Sequence, residues 1–283
     1  MNALVPQSVL LSSAMPKALR DGEFAVYYQP KVDSGTGSIA GMEALARWVH
    51  PVMGMVPPDR FIPAAEESGF IVELGEWVLR AACAQNRAWR DAGLPRLTVA
   101  VNCSIKQLTR GDFPDLLARI LKETGLPPDG LELEITESVL FEDPLSIVPE
   151  LTRLRDLGIR LAIDDFGTGY SSLAYLGHLP VHVLKIDKIF VKNIVHGANF
   201  PILRAIVDLA KKLGLTIVLE GVETAEHAAA VAPLGADQLQ GFYYGRPVSA
   251  ENSSRVLARG LSLTEKADAN NTLRSKTHSR KNI

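Results

Sequence analysis

The sequence predicts an α/β protein folded as a (β/α)8, TIM-like barrel with one antiparallel strand near the N-terminus. Eight short runs rich in apolar and β-branched residues alternate along the chain with longer stretches of helical period. A glycine follows most of the helical stretches, where the end of a helix favours a left-handed residue. Repeated strand–helix–glycine units are typical of parallel βαβ structure, and eight strands in one domain of this length indicate a closed barrel.

The elements follow one another as this fold requires. The predicted strands cover residues 24–32, 39–48, 97–102, 131–136, 160–164, 182–187, 216–220 and 238–243. The main predicted helices cover residues 71–92, 113–124, 144–157, 202–213 and 223–234, and the glycines expected to end helices are Gly93, Gly125, Gly158, Gly214 and Gly235. A short glycine-rich turn at residues 34–38 joins the first two strands, which predicts a hairpin and therefore one antiparallel strand.

Composition limits the classes of protein to which the chain can belong. Of its 283 residues, 47% are hydrophobic and 22% charged, which allows a sizeable core and argues against global disorder. The net charge of −2 gives no support for a binder of duplex nucleic acid, although a local phosphate site remains open. Cys83 and Cys103 lack the spacing of metal ligands, so neither a disulfide framework nor a thiolate zinc site is expected.

The chain also lacks the sequence features of membrane or exported proteins. No apolar run approaches the ~20 residues that a membrane helix needs, and the N-terminal stretch makes a poor signal peptide. With few cysteines, a reducing compartment is the natural one. We therefore expect a soluble, cytoplasmic protein without membrane insertion.

Three segments are predicted. Residues 1–14 form an N-terminal extension, residues 15–260 form the folded domain, and residues 261–283 form a polar, basic tail. The tail has too few apolar residues to fold alone and is expected to be disordered, with a docking or nucleic-acid-binding arm as the alternative. Its basic residues are Lys266, Arg274, Lys276, Arg280 and Lys281.

Polar side chains recur where the predicted strands end. Taken alone, each acidic residue is most simply a helix cap or a surface charge. The adjacent carboxylates of Asp164 and Asp165, however, repel each other unless a cation or a proton lies between them. The carboxyl ends of the parallel strands meet at one mouth of a barrel. Polar residues that recur at these ends from strand to strand therefore favour a shared metal centre. The residues concerned are Glu43, Asn102, Glu134, Asp164, Asp165, Lys185, Asp187, Glu220 and Gln240.

The candidate ligands in this set all offer oxygen atoms. Hard oxygen ligands select Mg²⁺ or Mn²⁺ over zinc or copper. So many carboxylates suit two ions bridged by an aspartate at a separation of about 3.5–4 Å, an arrangement used to hydrolyse phosphodiesters. Lys185 could then orient the attacking water or offset charge in the transition state. The candidate ligands are Glu43, Asn102, Glu134, Asp164, Asp165 and Glu220.

An ordered series of motifs adds a family resemblance that spans residues 15–248. The motifs include Tyr28-Gln29-Pro30-Lys31, Glu43-Ala44-Leu45, Glu134-Ile135-Thr136-Glu137, Asp164-Asp165-Phe166-Gly167, Lys185-Ile186-Asp187 and Glu220-Gly221-Val222-Glu223. With these motifs, the chain resembles the EAL-domain cyclic di-GMP phosphodiesterases, which are named for the tripeptide present here as Glu43-Ala44-Leu45. A tripeptide alone would mean little, whereas the ordered series is specific.

The resemblance implies a role for each site residue. It assigns Glu43, Asn102, Glu134 and Asp164 to a first ion, and Asp164, Asp165 and Glu220 to a second. It makes Lys185, Glu220 and Asp165 the catalytic residues, with Lys185 holding the nucleophilic water; whether Glu220 is a ligand or a general base stays open. Glu223 and Gln240 match residues that support the metal ligands beside the substrate. Gln29 and Arg47 match contacts to the dinucleotide.

The loop after the fifth predicted strand, residues 160–164, is expected to be regulatory. In the family this loop couples dimerisation to metal binding, which implies a homodimer. We hypothesise that it moves Asp165, with the glycines as hinges. Glu137 matches a glutamate that steadies the loop, with a capping role as the alternative. The loop residues are Phe166, Gly167, Thr168 and Gly169.

The resemblance implies hydrolysis of cyclic di-GMP to linear pGpG with Mg²⁺ or Mn²⁺, in bacterial signalling. Inhibition by Ca²⁺ is expected because a larger ion with looser coordination would misplace the bridging water. The alternatives are a catalytically silent cyclic di-GMP receptor and an interaction scaffold with a vestigial site. Receptors of this kind usually lack part of the ligand set, and the complete set present here favours the hydrolase.

Overall fold

The computed structural model describes residues 7–137, 146–168, 176–192, 194 and 199–260. The predicted tail and Gly169 lie outside the described residues. The strands are β1 Phe24–Asp33, β2 Ile39–His50, β3 Gly54–Val56, β4 Thr98–Asn102, β5 Leu131–Thr136, β6 Arg160–Phe166, β7 Val183–Ile186, β8 Thr216–Leu219, β9 Gln238–Gln240 and β10 Val248–Ser249. The helices are α1 Gln7–Arg20, α2 Pro58–Ser68, α3 Ile71–Asp91, α4 Ile105–Leu108, α5 Phe113–Thr124, α6 Val148–Asp156, α7 Lys188–Lys192, α8 Phe200–Lys212, α9 Ala225–Val231 and α10 Ala250–Arg259.

Eight of the described strands close into a barrel. The order around it is β1-β9-β8-β7-β6-β5-β4-β2, and β2 pairs back with β1. Strand β1 is antiparallel to both of its barrel neighbours, whereas the other neighbouring strands run parallel. The short strands β3 and β10 extend β2 and β1 outside the ring. The predicted (β/α)8 barrel with one antiparallel strand is confirmed.

The pleat of the strands separates the barrel interior from the layer that packs on the helices. Leu131, Leu133 and Ile135 of β5 join the large core that also includes helix residues, while Glu132 and Glu134 lie on the opposite face of the strand. Ala162, Val183 and Val218 form a small apolar cluster of their own. Each stands two residues before a candidate site residue, so this cluster lies inside the barrel beneath the mouth.

Helix ends follow the predicted turn chemistry. The five glycines expected after helices all have positive φ angles, between 66° and 89°. These values lie in the left-handed region, which glycine adopts without the steric cost that other residues meet. Among the described residues, no helix combines the length and apolar character needed to cross a bilayer.

Two elements differ from the prediction. The boundary predicted after residue 14 falls inside α1, whose residues Leu11 and Met15 are buried in the core. The spacing of these apolar residues marks an amphipathic helix, but Pro16 within it argues against a helix at the level of sequence. Strand β9 ends at Gln240 and not at residue 243, because Gly241 begins a turn in which a Cβ atom would lie 2.1 Å from the Val222 carbonyl oxygen.

Candidate active site

Two overlapping groups of carboxylates lie at the mouth of the barrel. Glu43, Glu134 and Asp164 bring one oxygen each within 4.8 Å of one another, and so do Asp164, Asp165 and Glu220. Asp164 belongs to both groups. The structure therefore brings together the five acidic residues that the sequence singles out as ligands, with a shared aspartate between the two halves.

Lys185 lies among these carboxylates. Its ammonium group is 2.8 Å from Glu134 Oε2, 2.9 Å from Asp164 Oδ2, 2.8 Å from Glu220 Oε1 and 4.0 Å from Glu43 Oε1. The side chain is 1% exposed. Burial lowers the pKa of Lys185, but the four carboxylates outweigh burial and raise that pKa well above its usual value. Lys185 is therefore a fixed positive charge in the site.

Glu43 is oriented by two neighbouring amides. Asn102 Nδ2 donates to Glu43 Oε1 at 2.9 Å, and Gln240 Nε2 donates to Glu43 Oε2 at 2.5 Å. Burial raises the pKa of Glu43, but Lys185 and these amides outweigh burial and bring the pKa below its usual value. Since Asn102 donates through its nitrogen, its carbonyl oxygen stays available as a ligand, which fits the predicted all-oxygen set.

Three other acids of the site have pKa values above their usual range, in contrast to Glu43. Burial, with the charge of Asp164, raises the pKa of Asp165 to about 6 and the pKa of Glu220 to about 7. Burial likewise raises the pKa of Glu134 well above its usual value despite the nearby lysines. Lys185 alone thus does not balance the acids. Buried oxygen ligands with excess negative charge suit hard divalent cations.

Asp165 has an unusual backbone conformation. Its φ angle is 53°, the only positive value among the described residues other than glycine. Aspartate tolerates this region better than most residues, and such strain clusters at functional sites. The Asp165 N–H donates to Asp164 Oδ1 at 2.8 Å, so the two carboxylates are held at a sharp turn in the chain.

Glu137 connects β5 with the start of the predicted regulatory loop. Its side chain is 2% exposed, and its Oε2 accepts a hydrogen bond from the Gly167 N–H at 2.8 Å. Phe166 is buried at the end of β6, and Thr168 Oγ1 donates to the Asp165 carbonyl oxygen at 2.9 Å. The loop role of Glu137 requires such a contact with Gly167. Asp187, another predicted site residue, accepts a hydrogen bond through Oδ1 from the Ile189 N–H at 2.8 Å, at the start of α7.

The predicted substrate contacts have different surroundings. Gln29 is buried and donates from Nε2 to the Gly245 carbonyl oxygen at 3.0 Å, and it is paired with Glu43 across β1 and β2. Arg47 lines a cleft of about 690 Å³ beside Asn102, bordered by α2 and α3. Glu223 is exposed, and its backbone N–H donates to His227 Nδ1 at 3.4 Å.

Gly221, next to Glu220, is required by close packing. Its φ angle is 71°, and a Cβ atom there would lie 2.3 Å from Lys188 Cβ. Gly93 has a similar φ of 73° with nothing within 4 Å of such an atom. We expect Gly93→Ala to cost about 1–2 kcal/mol of left-handed strain. Gly221→Ala should cost more, because the overlap adds to the strain, and should also reduce turnover by displacing Glu220. Urea unfolding of both variants measures the difference, and equal losses would contradict this account.

Two charged residues beneath the mouth are not among the predicted site residues. Lys31 and Glu132 are buried and form an ion pair inside the barrel. The signal for them is the two-residue period of the strands: Lys31 follows Gln29 by two residues and Glu132 precedes Glu134 by two. They share the inward face with the site.

Comparison with known proteins identifies the family. The sequence profile of the EAL domain matches residues 12–247 of the chain. The chain belongs to the EAL domain family. As an EAL domain, it carries its signature tripeptide on β2, where Glu43 faces the barrel interior.

Curated relatives of this EAL domain include two proteins of Pseudomonas aeruginosa. The bifunctional diguanylate cyclase/cyclic di-GMP phosphodiesterase MucR is 42% identical over 252 residues, which are 89% of this chain and 37% of MucR. The cyclic di-GMP phosphodiesterase NbdA is 42% identical over 243 residues, which are 86% of this chain and 31% of NbdA. The chain thus spans about a third of the length of these relatives.

A solved structure shares the fold closely. The PaMucR phosphodiesterase in complex with c-di-GMP matches with a TM-score of 0.83 and 42% identity, over 86% of this chain and 99% of the solved one.

Proposed function

We propose that this EAL domain hydrolyses cyclic di-GMP to linear pGpG with two divalent cations, Mg²⁺ or Mn²⁺. The observation that carries the proposal is the pair of carboxylate groups that share Asp164, with Lys185 between them. The cyclic di-GMP phosphodiesterases MucR and NbdA, at 42% identity, and the c-di-GMP complex of PaMucR support the choice of substrate.

The charges of the site match two divalent cations. Five carboxylates and the Lys185 ammonium carry a formal charge of −4, which two such cations neutralise. Glu43, Asn102, Glu134 and Asp164 would hold one ion, and Asp164, Asp165 and Glu220 the other. When bound, the ions would supply Lewis-acid activation of the attacking water and charge stabilisation at the phosphate.

The residues of the chain would prepare the reaction by position and charge. Lys185, fixed by three ion pairs of 2.8–2.9 Å, presents a positive charge where negative charge develops during attack on phosphorus. Glu220 is the most exposed carboxylate that contacts Lys185, at 18% side-chain exposure, and can accept a proton from the attacking water. Arg47, which lines the cleft, and Gln29, which is paired with Glu43, would bind the dinucleotide from β2 and β1.

Incubation with cyclic di-GMP and Mg²⁺ or Mn²⁺, followed by chromatography, tests the proposal. We expect linear pGpG to accumulate, and excess EDTA to stop its formation because the carboxylates need cations to hold the phosphate. Tight binding of cyclic di-GMP without turnover would favour a receptor. Neither binding nor turnover would contradict the proposed substrate.

The choice of ion is tested by Ca²⁺. We expect turnover in Ca²⁺ alone to be about tenfold or more below that in Mg²⁺ or Mn²⁺, because Ca²⁺ takes more ligands at longer distances. Added Ca²⁺ should also inhibit the Mg²⁺ reaction, and a titration of initial rates measures this. Full activity in Ca²⁺ alone would rule out the mechanism. The homodimer, the cytoplasmic location and the loop hypothesis stay predictions.

A further inference from the structure

A charged layer lies directly beneath the carboxylates of the site. The residues two positions away from Gln29, Glu43 and Glu134 on their strands are Lys31, Gly41 and Glu132. Lys31 and Glu132 are 1% and 3% exposed, and they are 2.5 Å apart from Nζ to Oε1. Glu132 is paired with Ala100 of β4 and Arg160 of β6, and Ala162, Val183 and Val218 form an apolar cluster inside the barrel.

Lys31 also contacts the site itself. Its ammonium is 3.3 Å from Glu134 Oε1, and Lys185 lies 2.8 Å from Glu134 Oε2. Each oxygen of the Glu134 carboxylate is therefore held by a different lysine. On the far side, Glu132 Oε2 is 3.4 Å from Nε of the partly exposed Arg160. Charges of alternating sign thus run from Arg160 through Glu132 and Lys31 to Glu134.

The path of the Lys31 side chain depends on a glycine. A Cβ atom on Gly41 would lie 3.1 Å from Lys31 Cε and 2.9 Å from Thr98 Oγ1. Gly41 is paired with Lys31 across the hairpin of β1 and β2. The absence of a side chain at this position leaves the space through which the lysine reaches Glu132 and Glu134.

Stability alone does not account for this pair. Removing two charges from water costs several kcal/mol per ion, and well-packed apolar residues in place of a buried ion pair are often neutral or stabilising. Ala162, Val183 and Val218 form an apolar cluster beneath the mouth of the same barrel, so its interior accommodates apolar side chains. The contact of Lys31 with the Glu134 carboxylate gives a functional reason for a pair that is costly to bury.

We infer that Lys31 is a positioning residue for Glu134, and that Glu132 is the anchor that holds Lys31 in place. This inference rests on the proposed function, because Glu134 matters as a ligand in the metal-dependent reaction. With Oε1 held by Lys31 and Oε2 by Lys185, the carboxylate cannot rotate freely, and its geometry is set before an ion or substrate binds. Residues behind the ligands of a metal commonly contribute about 10–100-fold to metal affinity or activity.

The test compares Lys31→Met with the double variant Lys31→Met/Glu132→Gln. The single variant leaves Glu132 as a buried charge without its lysine, and its melting temperature should fall. The double variant removes both charges with side chains of similar size, and its melting temperature in EDTA should return close to that of the wild type. We expect its Mn²⁺ affinity, measured by calorimetry, and its kcat to stay about 10-fold or more below those of the wild type. KM for cyclic di-GMP should change little.

The exposed pair Lys17 and Asp21 provides a matched control. Its side chains are 75% and 45% exposed, and Lys17→Met/Asp21→Asn should change neither metal affinity nor kcat. A double variant with the Mn²⁺ affinity and kcat of the wild type would overturn the inference, and so would a double variant that fails to fold. If the wild type proves inactive, the proposed function fails separately, and calorimetry with Mn²⁺ still decides whether Lys31 positions Glu134.

Discussion

Lys185→Met is expected to destabilise the metal-free protein by about 3–5 kcal/mol, the usual cost of removing one partner from a buried ion pair. The reason is that Lys185 is the shared positive charge within 4.0 Å of four carboxylates. Saturating Mn²⁺ should recover much of this loss, because bound cations supply the missing positive charge. Thermal unfolding in EDTA and in Mn²⁺ measures both effects, and the Mn²⁺-induced rise in melting temperature should be larger in the variant.

Turnover of cyclic di-GMP by Lys185→Met should remain low even in saturating Mn²⁺. The ions replace the charge of the lysine but not its place between Glu134, Asp164 and Glu220. The exposed Lys212→Met, on α8, provides a control that should alter neither stability nor turnover appreciably. A variant as stable in EDTA as the wild type would contradict the assignment of Lys185 as the charge that holds the acids together.

Glu43→Gln is expected to lower kcat by about 10²–10⁴-fold, since the loss of a charged ligand removes several kcal/mol of transition-state stabilisation. The substitution keeps the shape of the side chain. Asn102 and Gln240 both donate to Glu43, and the one that faces the new NH₂ can reverse its amide group to accept from it while the other continues to donate to the new carbonyl oxygen. Initial rates of pGpG formation in saturating Mn²⁺ measure the effect.

The melting temperature distinguishes the loss of a metal ligand from misfolding as the cause of the lower kcat. In EDTA the melting temperature of Glu43→Gln should fall only modestly, because the substitution keeps the shape of the side chain but removes a carboxylate that Lys185 and two amides stabilise. The exposed Glu67→Gln on α2 is the matched control and should retain full turnover. Turnover within a few-fold of the wild type for Glu43→Gln would contradict the assignment of Glu43 as a ligand.

Much of the fold could be predicted because its signals are local. The strands β1, β2, β4 and β5 begin within one residue of their predicted starts, and α5 has its predicted bounds. Alternating apolar runs, helical periods and glycines at helix ends each depend on a few neighbouring residues. The convergence of Glu43, Glu134 and Asp164 followed from one topological rule, that parallel strands end at one mouth.

The parts that could not be predicted depend on contacts between distant residues. Gly241 ends β9 because of the carbonyl group of Val222, and α1 continues through Pro16 because its apolar face packs on the core. The exposure of Glu223 is likewise set by the turn before α9, for which the chain offers no local rule, and its role beside the substrate stays a prediction.

Periodicity and strand ends were enough to predict the barrel, its antiparallel strand and the acidic side chains that meet at the mouth, because they specify faces and directions. How charges are shared at the mouth is visible only in the folded structure. Lys185 contacts three acids from three strands, and Lys31 reaches across the barrel to Glu132 and Glu134. Such pairings depend on distances of a few ångströms between strands far apart in the chain, since Coulomb energies in a buried site change steeply with separation and exposure.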